Sequence, residues 1–525
     1  MASGDGLVAP QLSADVTHDA VVVIPGVMGS GLIEGATDRP LWGLDDVRWY
    51  VQAWGTRGSS LKALRLTPSE RDALDERREQ AGYYRAHPLD PQLGRIRPNG
   101  VLRVAPAVAP VLGGFEPYRR MLNDIGPKVA DPAAVLAFAY DWRLPVEYNA
   151  CLLADAAARH LAAWRAHPAQ DAARREAGTR RPARLVLIAH SMGGLLARCL
   201  GIIEPTPAEE TAKLRVVEEI RATITLGTPF AGAAKAAVLL NSGRGAPVPL
   251  PNRRLRSLAA TLPGVHDLLP SYPCVDETDT VRRLTPQDVH SLGGDRVLAE
   301  RAFDLHTRLA QVPMVGHRAV IGCGQRTAQT LLLRDHGTRI EEAFHSFRFD
   351  AEGELVRHDD GIPVRVDRGG DGTVPRRSAE TGTHQPTPVS QQHGALAKAS
   401  EGVGFSCGVI TEEEHLGPAL GEGRVGLVVP DVVAAGAAWS LDVTGVDGPW
   451  TATCRVYDAD TDGQVQQPEL EWRDGGIGAS VEACGPGVYR VEIDGGAGSP
   501  VTQLVMVMGS GDASGADDWS GSDDD

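Results

Sequence analysis

One run of ten residues, Leu185-Val186-Leu187-Ile188-Ala189-His190-Ser191-Met192-Gly193-Gly194, constrains this chain more than any other segment. Residues 185–189 are all apolar, as in a strand buried on both faces, and Leu195, Leu196 and Leu200 follow at helical spacing. Between strand and helix lies a small-x-Ser-x-Gly turn. A serine there is lifted on a sharp, strained corner above the end of a parallel sheet, and the corner closes only if the residues two before and two after it are small. Ala189 and Gly193 meet that requirement, although the first position more often carries glycine. The segment therefore demands a strand–helix unit and presents Ser191 as a candidate nucleophile.

The surrounding sequence supplies the rest of such a sheet. Short apolar runs at 20–26, 134–142, 184–189 and 222–226 alternate with helical patterns at 115–125, 148–167 and 192–203. That alternation predicts βαβ units, hence an α/β domain over 20–420 behind an N-terminal segment, 1–19. Two stretches, near 42–112 and 241–312, are too long for plain connections and are expected to form cap insertions over the site. From about residue 423 the pattern changes to short alternating strands, such as Trp439-Ser440-Leu441-Asp442-Val443 and Val488-Tyr489-Arg490-Val491-Glu492-Ile493, which predicts a small β-sandwich over 423–508. Residues 509–525 are Gly, Ser and Asp with two alanines and one tryptophan, the composition of a disordered acidic tail.

A nucleophilic serine needs a base, an acid to orient it, and two amides to receive the oxyanion. In a fold of this kind the order along the chain is serine, acid, histidine. Gly369-Gly370-Asp371-Gly372-Thr373-Val374-Pro375 sets Asp371 in a tight glycine turn, and Gln391-Gln392-His393 places a histidine downstream of it. Asp371 and His393 are the preferred pair, against Asp359, Asp360, Asp367, His384 and His415 nearby. The amide of Met192, the residue after the serine, is one candidate oxyanion donor. The other is Val27, in the turn after the apolar run that ends Val23-Ile24-Pro25-Gly26.

Composition removes other classes of function. Hydrophobic residues make up 42% and charged residues 23%, which fits neither a disordered nor a membrane-embedded chain. No run of apolar residues is long enough to span a bilayer. The net charge of −16, six charges of it within residues 512–525, disfavours nucleic acid and basic adhesion to lipid. Seven scattered cysteines, without paired spacing, suggest reduced thiols and neither a disulfide framework nor a zinc site. With no basic, apolar leader in residues 1–20, cytoplasmic residence is expected. Asp458-Ala459-Asp460-Thr461-Asp462-Gly463 with Glu469 matches a calcium loop in spacing, but its flanks read as strands, so an acidic hairpin turn is expected and no metal or cofactor is assigned.

Taken together and in order, several runs resemble the lecithin:cholesterol acyltransferase (LCAT) family of α/β-hydrolases. They are Ile24-Pro25-Gly26-Val27-Met28-Gly29-Ser30, Leu41-Trp42, Tyr140-Asp141-Trp142-Arg143-Leu144, Ala189-His190-Ser191-Met192-Gly193-Gly194, Leu226-Gly227-Thr228-Pro229-Phe230-Ala231-Gly232, Leu268-Leu269-Pro270, Gly370-Asp371-Gly372-Thr373-Val374-Pro375 and His393. The resemblance implies an α/β-hydrolase fold and transfer of a fatty acyl group from a lipid ester to Ser191 and on to an alcohol or water. It also implies Ser191, Asp371 and His393 as the triad and Val27 and Met192 as the oxyanion hole. Secreted members carry a disulfide-closed lid near their first tryptophan, whereas no cysteine precedes Cys151 here. The expected partner is thus a lipid or other acyl ester, met through peripheral contact. Two alternatives stand beside it: a partner-regulated effector whose sandwich binds a protein and gates a lipase domain, and a thioesterase or amidase on the same fold.

Overall fold

Parallel strands cannot be joined by tight turns, so their connections must cross over the sheet, and here they do so largely through helices. The computed structural model describes residues 16–43, 59–81, 93–102, 118–203, 216–242, 252–380, 382, 386–413, 425–430, 432–459, 461–473, 475–496 and 499–508. The segments expected at the extreme N-terminus and as an acidic tail lie, wholly or almost wholly, outside these residues. The central sheet contains β1 (Ala20–Ile24), β2 (Val135–Ala137), β3 (Leu185–His190), β4 (Ile220–Leu226), β5 (His317–Cys323) and β6 (Thr387–Ser390). Their order is β6-β5-β4-β3-β1-β2, and every neighbouring pair is parallel. Every residue of β1 and β3 is buried, as expected for strands covered on both faces.

Helices α1 (Arg119–Ile125), α2 (Val146–Arg165), α3 (Met192–Cys199) and α4 (Ser400–Thr411) accompany this sheet. α2 packs on α3, and α4 packs on α1 and β4. The architecture is the expected α/β-hydrolase type, with two strands, β5 and β6, that the apolar pattern does not announce. The run at 134–142 is regular only over Val135–Ala137, because beyond it Tyr140, Trp142 and Arg143 turn into a buried polar network. Register places Ile24 beside Ala189 and Ala189 beside Thr225, so β1, β3 and β4 end level with one another. Pro25, Ser191 and Gly227 consequently leave the sheet at one edge.

Within the first insertion, strands Pro40–Trp42 and Ile96–Val101 flank Ser30–Glu34 in an antiparallel sheet, followed or preceded by helices Ser59–Ala63 and Pro68–Ala81. The second contributes helices Asn252–Ala259, Pro263–His266, Pro286–Ser291 and Arg296–Leu309. The two insertions touch, through Arg301 with Asp75 and Arg78 with Asp304. A buried ion cluster fastens the first to the sheet. Arg143, fully buried, donates to Asp141 (2.7 Å), to Glu70 (3.2 Å) and to the Leu64 carbonyl (3.1 Å). Burial pushes the Glu70 carboxyl up, but the Arg143 charge, the Thr67 amide and Arg95 outweigh it and hold it below its ordinary value. Removing either carboxylate would strand a buried guanidinium, which is why such clusters are all-or-none.

The C-terminal strands form two facing sheets. β7 (Gly426–Val428), β9 (Trp439–Thr444), β12 (Glu471–Arg473) and β13 (Gly476–Val481) pair in the order β7-β9-β13-β12. β8 (Val432–Ala434), β10 (Thr453–Asp458), β11 (Gln464–Gln466), β14 (Gly487–Asp494) and β15 (Val501–Met508) pair in the order β8-β15-β14-β10-β11. Burial alternates strictly along β9, and Leu441, Val456, Val491 and Val505 belong to a core separate from that of the hydrolase sheet. The calcium-like run lies in the β10–β11 hairpin, where the Asp458 amide donates to the Gly463 carbonyl (2.9 Å) and Asp462 pairs with Arg490 (2.7 Å). None of the seven cysteines is joined in a disulfide. Among the described residues no helix is long and apolar enough to cross a membrane.

Candidate active site

Ser191 sits where β3 runs into α3, at φ 53° and ψ −126°, a conformation that costs a non-glycine residue strain and is tolerated only when the surroundings enforce it. Two features enforce it. The Ser191 amide donates to the Leu226 carbonyl at 2.9 Å, tying the corner to the end of β4. At Gly193 a Cβ would stand 2.6 and 2.7 Å from the carbonyl oxygens of Pro25 and Ile24, so helix and strand approach this closely only because that position lacks one. Ser191 is buried, with 4% of its surface exposed.

His393 reaches the same point from the loop after β6, and Asp371 from the glycine turn that follows strand Arg365–Val366, in the long segment between β5 and β6. The Ser191 hydroxyl lies 2.8 Å from His393 Nε2, and His393 Nδ1 lies 2.7 Å from Asp371 Oδ2. Asp371 Oδ1 accepts the amides of Thr373 (3.0 Å) and Val374 (2.6 Å), which leaves Oδ2 for the imidazole. The His393 amide donates to the Asp371 carbonyl at 2.8 Å, so backbone and side chain fix the pair together. With Nδ1 donating to the carboxylate, Nε2 is the ring's acceptor and faces the hydroxyl. Gly227, at φ +60°, lies over this bond; a Cβ there would stand 3.0 Å from Asp371 Oδ2 and 3.1 Å from His393 Nδ1. Of the competing residues, Asp359 and Asp360 are exposed, and Asp367 accepts from Gln329 (2.7 Å) and the Gly369 amide (2.8 Å). His384 and His415 lie outside the described residues.

The turn after β1 closes through the Gly29 amide on the Gly26 carbonyl (3.0 Å), with Met28 at φ 61°. It presses against the serine: a Cβ on Gly26 would lie 2.8 Å from that of Ser191. Neither the Val27 amide nor the Met192 amide makes a hydrogen bond among the described residues. Tyr140 and Trp142 secure this turn by donating to the carbonyls of Pro25 (2.9 Å) and Ser30 (3.3 Å).

Two residues at the site escape the motif reading. His190 Nε2 lies 3.0 Å from the His393 carbonyl, which can only accept, so Nε2 carries the proton and Nδ1 accepts. The Tyr118 hydroxyl therefore donates to Nδ1 (2.7 Å), and the Tyr118 oxygen in turn accepts the Gly26 amide (2.7 Å). Burial, reinforced by the neighbouring His393, lowers the His190 pKa to about 3, so its ring is neutral. Burial raises that of Tyr118 well above its ordinary value. This neutral chain links the β1 turn to the histidine loop. A histidine ending an otherwise apolar strand was the available signal for one half; nothing in the sequence marks Tyr118.

A parallel sheet with a strained serine at a strand–helix corner, a histidine on its hydroxyl and a buried carboxylate behind the ring defines an α/β-hydrolase. Residues 118–291 match the model of the family described as lecithin:cholesterol acyltransferase, a span that includes Ser191 and ends before Asp371 and His393. Over that span the chain is LCAT-like, and this supports a lipid-ester hydrolase or acyltransferase in general terms. No curated protein matches the sequence. Among solved structures, a chain of the Tle4–Tli4 complex aligns at 16% identity and a TM-score of 0.44, covering 75% of this chain and 99% of that one. The lipase BlEst2 of Bacillus licheniformis, in propeptide form, aligns at 11% identity and a TM-score of 0.25, covering 96% and 95%.

Proposed function

We propose that the protein is a serine acyl-ester hydrolase or O-acyltransferase acting on lipid esters through an acyl-enzyme on Ser191. The observation that carries this reading is the unbroken contact from Ser191 Oγ through His393 to Asp371. His393 Nε2 takes the hydroxyl proton as Oγ bonds to the ester carbonyl carbon, and the carbonyl oxygen becomes an oxyanion held by the Val27 and Met192 amides. Collapse breaks the ester C–O bond, and the imidazolium returns the proton to the departing alcohol. Water or a second alcohol then attacks the acyl-enzyme by the same steps in reverse, with His393 again taking and returning one proton. Asp371 stays ionised throughout and stabilises the imidazolium. Seven cysteines, none of them in a disulfide, support residence in a reducing compartment such as the cytoplasm.

Replacement of Ser191 by alanine is expected to lower kcat on a long-chain chromogenic ester by about 10⁵-fold or more. The measurement is made beside a panel of phospholipid, acylglycerol, thioester and amide, which ranks the acyl donors. Undiminished ester turnover by the alanine variant would remove this reading altogether.

A further inference from the structure

The histidine loop is bound from behind by the C-terminal sandwich. Gln392, the neighbour of His393, places its side-chain nitrogen 3.0 Å from Gln325 Oε1, 3.1 Å from Gln503 Oε1 on β15, and 3.3 Å from the Leu427 carbonyl on β7. Gln391, 2% exposed, donates to the Pro500 carbonyl (2.9 Å). Gln325, 1% exposed, donates to the Val425 carbonyl (3.0 Å) and accepts the Leu427 amide (3.1 Å). Its own amide donates to the Gly370 carbonyl at 3.0 Å, directly before Asp371. Two sandwich strands thus grip, through one polar seam, both the turn that bears the carboxylate and the loop that bears the imidazole.

We infer that the sandwich is a positioning element of the active site, with Gln503 and Gln392 as the pair that holds the His393 loop at hydrogen-bonding distance from Ser191. The seam is built for alignment. An apolar seam of the same area would permit sliding, whereas amides that are buried at Gln325 and Gln391 and half-buried at Gln392 and Gln503 favour those placements in which each donor meets an acceptor. His393 itself occupies a one-turn 3-10 segment, His393–Ala395, too short to hold a side chain by its own backbone pairing. Its placement is therefore fixed by what surrounds it: Asp371, His190 and the glutamine seam. A domain that masked the site would raise activity on being loosened; a domain that aligns it lowers activity.

The inference rests on the proposed role of His393 as the base for Ser191, so the Ser191→Ala variant is assayed in parallel. In the full chain, Gln503→Ala removes one of the sandwich's two acceptors for Gln392, the other being the Leu427 carbonyl, without touching the hydrolase domain. It is expected to lower kcat per active site about tenfold, with KM changed less than about twofold, because displacement of a catalytic ring acts on the chemical step. Active sites are counted by titration with an alkyl fluorophosphonate. Gln503→Glu keeps an acceptor oxygen for Gln392 and is expected to retain most of the activity. Gln392→Ala, which also loses Gln325 and the Leu427 carbonyl, should be at least as slow as Gln503→Ala, and the double variant should be no slower than Gln392→Ala alone. Unchanged kcat per titrated site in Gln503→Ala, or a double variant slowed by the product of the two, would overturn the inference. If Ser191→Ala itself retained activity, the proposed function would fail instead.

Discussion

The two ends of the Ser191–His393 contact are held by different means. On the serine side, nearly everything that matters lies between Leu185 and Leu200. A buried strand, a strained corner and an apolar helix fix the hydroxyl, with the Leu226 carbonyl and the backbone of the β1 turn as the outside help. On the histidine side the local backbone contributes little, and the ring is held by groups from residues 190, 371 and, through its loop, 325, 427 and 503. The first is an arrangement of sterics and covalent geometry. The second is an arrangement of hydrogen bonds between segments far apart in the chain. Steric corners break together with the fold, whereas hydrogen-bonded loops can lose alignment while the fold persists.

That difference is open to test from both sides. Asp371→Asn keeps an oxygen for the Thr373 and Val374 amides but turns an NH₂ toward His393 Nδ1, which must then accept. The proton moves to Nε2 and the ring can no longer take one from Ser191. We expect kcat to fall by about 10⁴-fold with the melting temperature within a few degrees of the parent. Retention of more than about a tenth of the activity would mean that another group orients the imidazole. Gly193→Ala attacks the serine side. Its methyl would meet two backbone oxygens inside 2.8 Å, so the corner must open. Activity should fall by about 10²-fold, together with a loss of about 1–3 kcal/mol of stability by denaturant titration. Loss of activity at full stability would show that the corner is not under the steric control described.

The same contrast explains what could be read from the sequence. The strands β1, β3 and β4, the corner at Ser191, the two-sheet character of residues 426–508 and the glycine turn at Asp371 were all legible, because each depends on short-range patterns of burial and size. Strand β5 begins with His317 and Arg318 and is therefore polar where it starts. Strand β6 is short and contains Pro388, which an edge strand accommodates but which reads as a break in a linear pattern. His393 was found by chain order and family resemblance, since nothing in its local sequence separates it from a solvated loop histidine. Gln325, Gln391, Gln392 and Gln503 were invisible as a group: single polar residues on separate segments have no pattern until the chain is folded. Arg143 shows the reverse case, a charged residue in a conspicuous run whose function in the structure is to anchor the first insertion through Glu70.

Between the two sides runs the Tyr118–His190 chain, and it provides the smallest but most specific test. Tyr118→Phe leaves the ring packing and removes one oxygen, which strands the buried Gly26 amide and the acceptor nitrogen of His190. Stability should fall by about 1–3 kcal/mol, the usual cost of leaving buried polar groups unsatisfied. Kinetically, two effects are expected at once. Gly26 precedes Val27, so the β1 turn loses a tether beside the proposed oxyanion site, and His190 loses the Nδ1 partner that steadies its ring while Nε2 donates to the His393 carbonyl. Both act on the chemical step, so kcat should drop by about tenfold with KM little changed. Because the His190 ring is held neutral down to about pH 3, the loss should be the same across the neutral range and should not be recovered by changing pH. A variant that loses stability but keeps kcat would show that this chain supports the core alone and leaves the serine and histidine sides independent.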